Sequence, residues 1–173
     1  MTLTTRVFAG FVLVTSAIVL GTALLSEYWG GLAPCELCLV QRWPWGAAIV
    51  ISLIVLLAGE RAPLSWVALV FAVVFAISVV LAFYHIGVEQ HWFAGPTACT
   101  APAGGAMTLE QMKQQILGTA PVLCDRPAWT LFGISLAGWN LLASLIMTGC
   151  CLAALLHRAR RRGFAFGLPR RAA

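Results

Sequence analysis

Along the chain the apolar residues come in long blocks rather than at the three- and four-residue spacing of an amphipathic helix. Four blocks, at about 7–25, 43–59, 64–88 and 129–156, contain no Lys, Arg, Asp or Glu. Each meets the roughly 17–25 residues that a helix needs to cross a bilayer. Backbone polar groups in hydrocarbon must be bonded within their own segment, so these blocks predict helices and not strands. The expected fold is an all-α membrane protein, a four-transmembrane-helix bundle forming a single domain over residues 1–173. The few small or polar residues inside the blocks, among them Gly21, Ser52, Ser78, Gly138, Asn140 and Ser144, read as close-packing or interhelical contacts. The first block is longer than the roughly 7–15 apolar residues of a signal peptide and no small-x-small cleavage site follows it, so a retained helix is expected.

Composition strengthens the membrane reading. The chain of 173 residues is 61% hydrophobic and 10% charged, with a mean hydropathy of +0.91, against about 45–50% and 25% in an average soluble domain. Charge then orients it. Arg158, Arg160, Arg161, Arg162, Arg170 and Arg171 follow the last block, Arg6 precedes the first, and Arg61 lies in the short turn at 59–63. The opposite side holds Arg42, Lys113 and Arg126 with five of the six acids. Positive-inside therefore predicts cytosolic termini and a cytosolic basic tail at 157–173. That tail accounts for the net charge of +5. Beside a membrane exit it reads as a topology signal and anionic-lipid contact, not as a nucleic-acid patch.

Two segments, about 26–42 and 89–128, then lie outside the cytosol. The longer one passes through Gly95-Pro96 to Cys99 and a flexible Ala101-Pro102-Ala103-Gly104-Gly105 stretch. Thr108 and Gln111 fit a capping box, and Leu109, Met112 and Ile116 share a stripe, so a short amphipathic helix is expected at 108–117. Trp29, Trp43, Trp45, Trp92 and Trp129 cluster near the outer boundary. An interfacial aromatic belt explains such clustering, and some of these rings could also wall a site for a planar lipid-soluble molecule.

Cys35, Cys38, Cys99 and Cys124 all fall on the outer side, where disulfides persist, and read as two pairs. Cys150 and Cys151 lie within the fourth block, as buried thiols that behave as small hydrophobes. The stretch PCELCLVQR opens the second block. If a helix begins near Pro34, then Cys35, Cys38 and Arg42 share one face, and the helix start and the guanidinium both favour a thiolate. An arginine at the edge of hydrocarbon points to function. Pro44 makes that helical stripe approximate. Zinc on the four outer cysteines is a weaker alternative, because 24 residues separate Cys99 from Cys124 where metal pairs have two to four. A structural Cys99–Cys124 disulfide would stabilise its loop by roughly 3 kcal/mol.

With PCELCLVQR, Tyr84-His85 at the end of the third block, and Cys99 and Cys124 in the second outer loop, the chain resembles the bacterial disulfide bond formation protein B (DsbB) family over nearly its whole length. The resemblance implies an inner-membrane protein-disulfide oxidoreductase that reoxidises a periplasmic DsbA-like thiol oxidase and reduces a membrane quinone, ubiquinone or menaquinone, without a metal. By the same resemblance, Cys99 takes the partner's thiolate, Cys124 then attacks Cys35, and Cys38 is released beside the quinone, with Arg42 and His85 lining the quinone site. Gln41 departs from the pattern, standing where a family member can carry an acid. Vitamin K epoxide reductase-like proteins place their C-x-x-C in the last helix, where this chain has Cys150-Cys151. A rival of another class is a non-catalytic scaffold or transporter subunit whose outer disulfides only staple loops.

Overall fold

The computed structural model describes residues 4–96, 108–110, 113 and 122–166, with side chains as far as residue 159 in the last stretch. Cys99, the stretch 101–107 and most of the expected amphipathic helix lie outside the described residues. Helix α1 is Thr5–Tyr28, α2 is Glu36–Val40, α3 is Arg42–Ala58 followed by a 3-10 turn at Gly59–Arg61, α4 is Leu64–Glu89, and α5 is Leu136–Phe166. Among the described residues, four spans are long and apolar enough to cross a membrane: Thr5–Tyr28, Glu36–Arg61, Leu64–Glu89 and Leu136–Ala159. The protein is a multi-pass, mostly helical membrane protein.

Two helix boundaries differ from the sequence expectation, each for a local reason. The second span is not one smooth helix from Pro34. Pro44 has no N–H to give Val40, and its ring crowds that carbonyl, so α2 closes at Val40 and α3 restarts at Arg42 through a turn at Gln41. The fourth helix starts at Leu136 and not near Trp129. Residues 130–135 instead form a small antiparallel hairpin, β1 (Thr130–Leu131) with β2 (Ile134–Ser135), pairing Thr130 with Ser135 and Leu131 with Ile134. Its two-residue turn needs positive φ at both positions, and Phe132 (53°) and Gly133 (77°) adopt it.

Helix α4 packs along α5 and α1 along α3, with α3 against α4 joining the two pairs. Ala9, Ala48 and Ala68 are fully buried where backbones approach closely. Around them Phe8 meets Phe71 edge-on at 6.1 Å and Trp45 meets Phe75 at 5.2 Å. Cys151 belongs to this same apolar core. Ser78 and Ser144, two of the expected interhelical contacts, bond each other at 2.8 Å between α4 and α5. Away from the core, Leu57, Val7, Val80 and Ile146 stand exposed as a lipid-facing surface.

At one end of the bundle the Glu60 carboxylate accepts from the backbone N–H groups of Thr5 and Arg6, each at 3.2 Å, supplying orphan donors at the start of α1. At the other end, α4 closes through His91 at φ 61°, and the N–H groups of Trp92 and Phe93 return to the Gly87 carbonyl. Phe93 thereby lies over Gly87 and stacks on Tyr84 at 6.0 Å. A Cβ on residue 87 would enter the Phe93 ring. Gly87→Val is expected to detach this returning segment from α4, read as faster amide exchange at residues 90–94, with little change at the Glu60 end.

Candidate active site

The CxxC pair sits at the kinked start of the second span. Cys35 is the N-cap of α2, and its sulfur accepts from the Cys38 backbone N–H at 3.3 Å. This helix-start donor therefore serves Cys35. The two sulfurs lie 3.0 Å apart as free thiols, Cys35 donating to Cys38. That hydrogen bond, reinforced by burial, pushes the Cys35 thiol up to about 12. Cys35 thus keeps its proton through the neutral range and releases it only as pH rises through that value. It is also only 5% exposed, whereas Cys38 is half-buried and faces a cavity. Treating reduced protein with a maleimide near neutral pH is expected to modify Cys38 well before Cys35, as read by peptide mass spectrometry. Equal rates would contradict this division of roles.

Cys124 arrives from the far side of the sequence. It is fully buried in one cluster with Cys35, Leu37 and Val88, against which Cys38 and Tyr84 pack. Three of the four expected redox cysteines are therefore gathered at one place, and the fourth, Cys99, lies outside the described residues. Among the described residues a three-donor group is formed by Cys35, Cys38 and His85, whose ligand atoms lie within 4.8 Å of one another. It is not the four-cysteine set weighed for zinc. As a dithiol beside an imidazole it is equally suited to thiol-disulfide exchange and proton movement.

His85, near the end of α4, is 3% exposed and turns its ring to side chains and not to backbone. Its Nε2 lies 3.6 Å from Cys35 Sγ and 3.9 Å from the Glu89 carboxylate, while its Nδ1 meets the Gln41 amide. Glu89 in turn accepts from Ser135 Oγ at 2.6 Å, and the same hydroxyl accepts from Gly138 N–H to cap α5. The hairpin thus brings the α5 start to the site.

Cys38, His85, Gln41 and Arg42 line one part of a cavity of about 340 Å³. Val19, Leu20, Ala137 and Ala143 are among its apolar walls. Such a space, mostly apolar with a few convergent polar groups, has the character of a small-molecule site. Arg42 does not present a bare charge there, since its guanidinium is ion-paired to Glu27 from the end of α1. Trp45, one of the five clustered tryptophans, is not part of an interfacial belt. It is 2% exposed, lines the cavity and donates to Asn140 Oδ1 at 2.8 Å, while Trp29, Trp43, Trp92 and Trp129 are exposed. Sequence reasoning missed Glu27, Glu89 and the site role of Asn140. The signal available was a carboxamide inside an otherwise apolar span and acids flanking two others.

The profile of one family, described as disulfide bond formation protein DsbB, matches residues 5–154. The chain belongs to the DsbB family. A disulfide bond formation protein B of Stutzerimonas stutzeri (strain A1501) is 32% identical over 152 residues, covering 83% of this chain and 90% of that protein. Another of that name from Aromatoleum aromaticum is 26% identical over 166 residues, 92% and 95% of the two chains. An uncharacterized protein of Rickettsia prowazekii (strain Madrid E) is 30% identical over 141 residues, 79% and 80% of the two. No solved structure matches the chain. Membership in the DsbB family makes this a membrane protein of disulfide-bond formation, with disulfide oxidoreductase chemistry. A non-catalytic scaffold does not account for that membership.

Proposed function

We propose that the protein reoxidises a periplasmic thioredoxin-fold thiol oxidase of the DsbA type and passes the electrons to a membrane quinone. The carrying observation is the burial of Cys124 in one cluster with Cys35, against which Cys38 packs at a cavity wall. In this reading the protein lies in the bacterial inner membrane with both termini cytosolic and the cysteine-bearing end periplasmic. A partner thiolate attacks Cys99 of a Cys99–Cys124 disulfide, forming a mixed disulfide and freeing Cys124. Cys124 attacks Cys35 of a Cys35–Cys38 disulfide, and the Cys38 thiolate leaves. The partner's second thiolate releases Cys99, which attacks Cys124 and frees Cys35, restoring the loop disulfide. The chain then holds two electrons in the Cys35/Cys38 dithiol.

A quinone, when bound, supplies an acceptor for two electrons and two protons. The residues around the cavity fit such a group: apolar walls for the ring, and Arg42, His85 and Gln41 as hydrogen-bonding groups near Cys38. Cys35 keeps one proton on the dithiol, its S–H turned to Cys38. Arg42 attracts negative charge in the cavity, moderated by Glu27. The direction is set by potential: oxidising a partner near −120 mV requires a still stronger oxidant downstream, with about 30 mV equivalent to 1.4 kcal/mol. Mixing purified protein with a reduced DsbA-type oxidase and a soluble quinone tests the proposal. Loss of quinone absorbance, one quinone per partner disulfide formed, is expected. No loss beyond that seen with Cys38→Ala would overturn it.

A further inference from the structure

Four side chains from three helices and the turn between α2 and α3 form an unbroken chain of hydrogen bonds ending at the cysteine pair. Trp45 Nε1 meets Asn140 Oδ1, Asn140 Nδ2 meets Gln41 Oε1, Gln41 Nε2 meets His85 Nδ1, and His85 Nε2 meets Cys35 Sγ. The polarity of such a chain is ordinarily ambiguous, because either amide can be turned over and either imidazole nitrogen can hold the proton. Here one end is unambiguous. An indole N–H donates and never accepts, so Asn140 must present oxygen to Trp45 and therefore its NH₂ to Gln41. Gln41 must then present oxygen to Asn140 and NH₂ to His85. Nδ1 of a neutral His85 is left as acceptor, and the ring proton sits on Nε2.

We propose that Trp45, Asn140 and Gln41 are positioning residues that hold His85 in its Nε2–H tautomer, so that every donor in the chain points toward Cys35 and, through it, toward Cys38. Trp45, His85 and Gln41 are buried, and Asn140 is half-buried, so water competes little for these bonds. Successive donations in one direction also polarise one another. The Nε2–H faces two acceptors, Cys35 Sγ and the Glu89 carboxylate. Donation to Cys35 satisfies that sulfur from behind while its own S–H points at Cys38. Negative charge is thereby directed to the sulfur that lines the cavity. Among the described residues, the titratable and charged groups at this site are Cys35 and Cys38 from the second span, Arg42 across the cavity with its partner Glu27, Glu89 from α4 itself, and Cys124, clustered with Cys35.

Any consequence for turnover rests on the proposed function, but the tautomer does not, so the test reads the tautomer directly. In protein reduced and labelled with ¹⁵N-histidine, long-range ¹H–¹⁵N correlations distinguish Nε2–H from Nδ1–H, and the His85 signal is assigned by its loss in His85→Gln. Wild type is expected to show Nε2–H alone. Gln41→Glu keeps an oxygen for Asn140 but replaces the donor facing His85 by an acceptor, so it is expected to invert the ring to Nδ1–H. Trp45→Phe removes the only fixed donor and is expected to give both tautomers. The maleimide preference for Cys38 over Cys35 is expected to fall about tenfold in Gln41→Glu, the effect of one hydrogen bond to a charged group. Nδ1–H in wild type, or Nε2–H alone in both variants, would overturn the proposal. An acceptor-reduction assay that fails while the tautomers behave as expected would count against the proposed function and leave the positioning role standing.

Discussion

Replacing Cys38 by alanine is expected to lower thiol-driven acceptor reduction by about 10³-fold or more, while the protein still purifies folded. Cys38 is the sulfur at the cavity wall, and without it Cys35 has no neighbouring thiol with which to close the Cys35–Cys38 disulfide as two electrons leave for the acceptor. Residues acting as a unit are non-additive, so Cys35→Ala and the double replacement are expected to fall to the same floor. Cys38 is half-buried and packs on the edge of the small cluster of Cys35, Leu37, Val88 and Cys124, outside the main core of Phe8, Phe71 and Phe75. Its truncation should therefore shift thermal unfolding only slightly. Steady-state rates beside a melting curve check both halves. Residual activity above a tenth of wild type would contradict the assignment.

Removing the charge of Arg42 is expected to be more damaging than removing its ion pair as a whole. In Arg42→Met the Glu27 carboxylate remains, three-quarters shielded and without its guanidinium, at the cavity that takes the reduced product's charge. Breaking one side of a shielded pair leaves an uncompensated charge, while removing both sides does not. A loss of about 100-fold in kcat/KM is expected for Arg42→Met, with about tenfold recovered in Arg42→Met/Glu27→Gln, the ratio of the two giving the cost of the uncompensated Glu27 charge. Equal losses in the single and double variants would show that the orphaned Glu27 charge is not what harms Arg42→Met. The pair is partly exposed, so added salt is expected to narrow the gap between the two variants.

The four spans were legible because lipid imposes one rule on every residue of a block, and a run free of charge satisfies it without knowledge of its neighbours. The boundaries were less so. A proline three residues into α3 moved the helix break to Gln41, and a Phe-Gly pair made a hairpin turn inside an apolar run that periodicity alone reads as helix. Of the site, Cys35, Cys38 and Cys124 were visible because thiols are few and carry their own chemistry, and the structure gathers these three. The polar chain was not. Asn140 looked like a helix contact and Trp45 like an interfacial ring, and both statements are true of their residue types in general. What gives them a place at the site is the packing of α3 against α4 and of α4 against α5, which sets Gln41, His85 and Asn140 at one depth.

The account turns on Cys124 and Cys35 coming within bonding reach, and trapping that bond tests it most directly. In Cys38→Ala/Cys99→Ala protein the exchange has no onward step, so mild oxidation is expected to produce a single intramolecular disulfide, recovered as one cross-linked pair of peptides containing Cys35 and Cys124. Recovery of both cysteines as separate alkylated thiols, under conditions that fully oxidise the wild-type pairs, would contradict it.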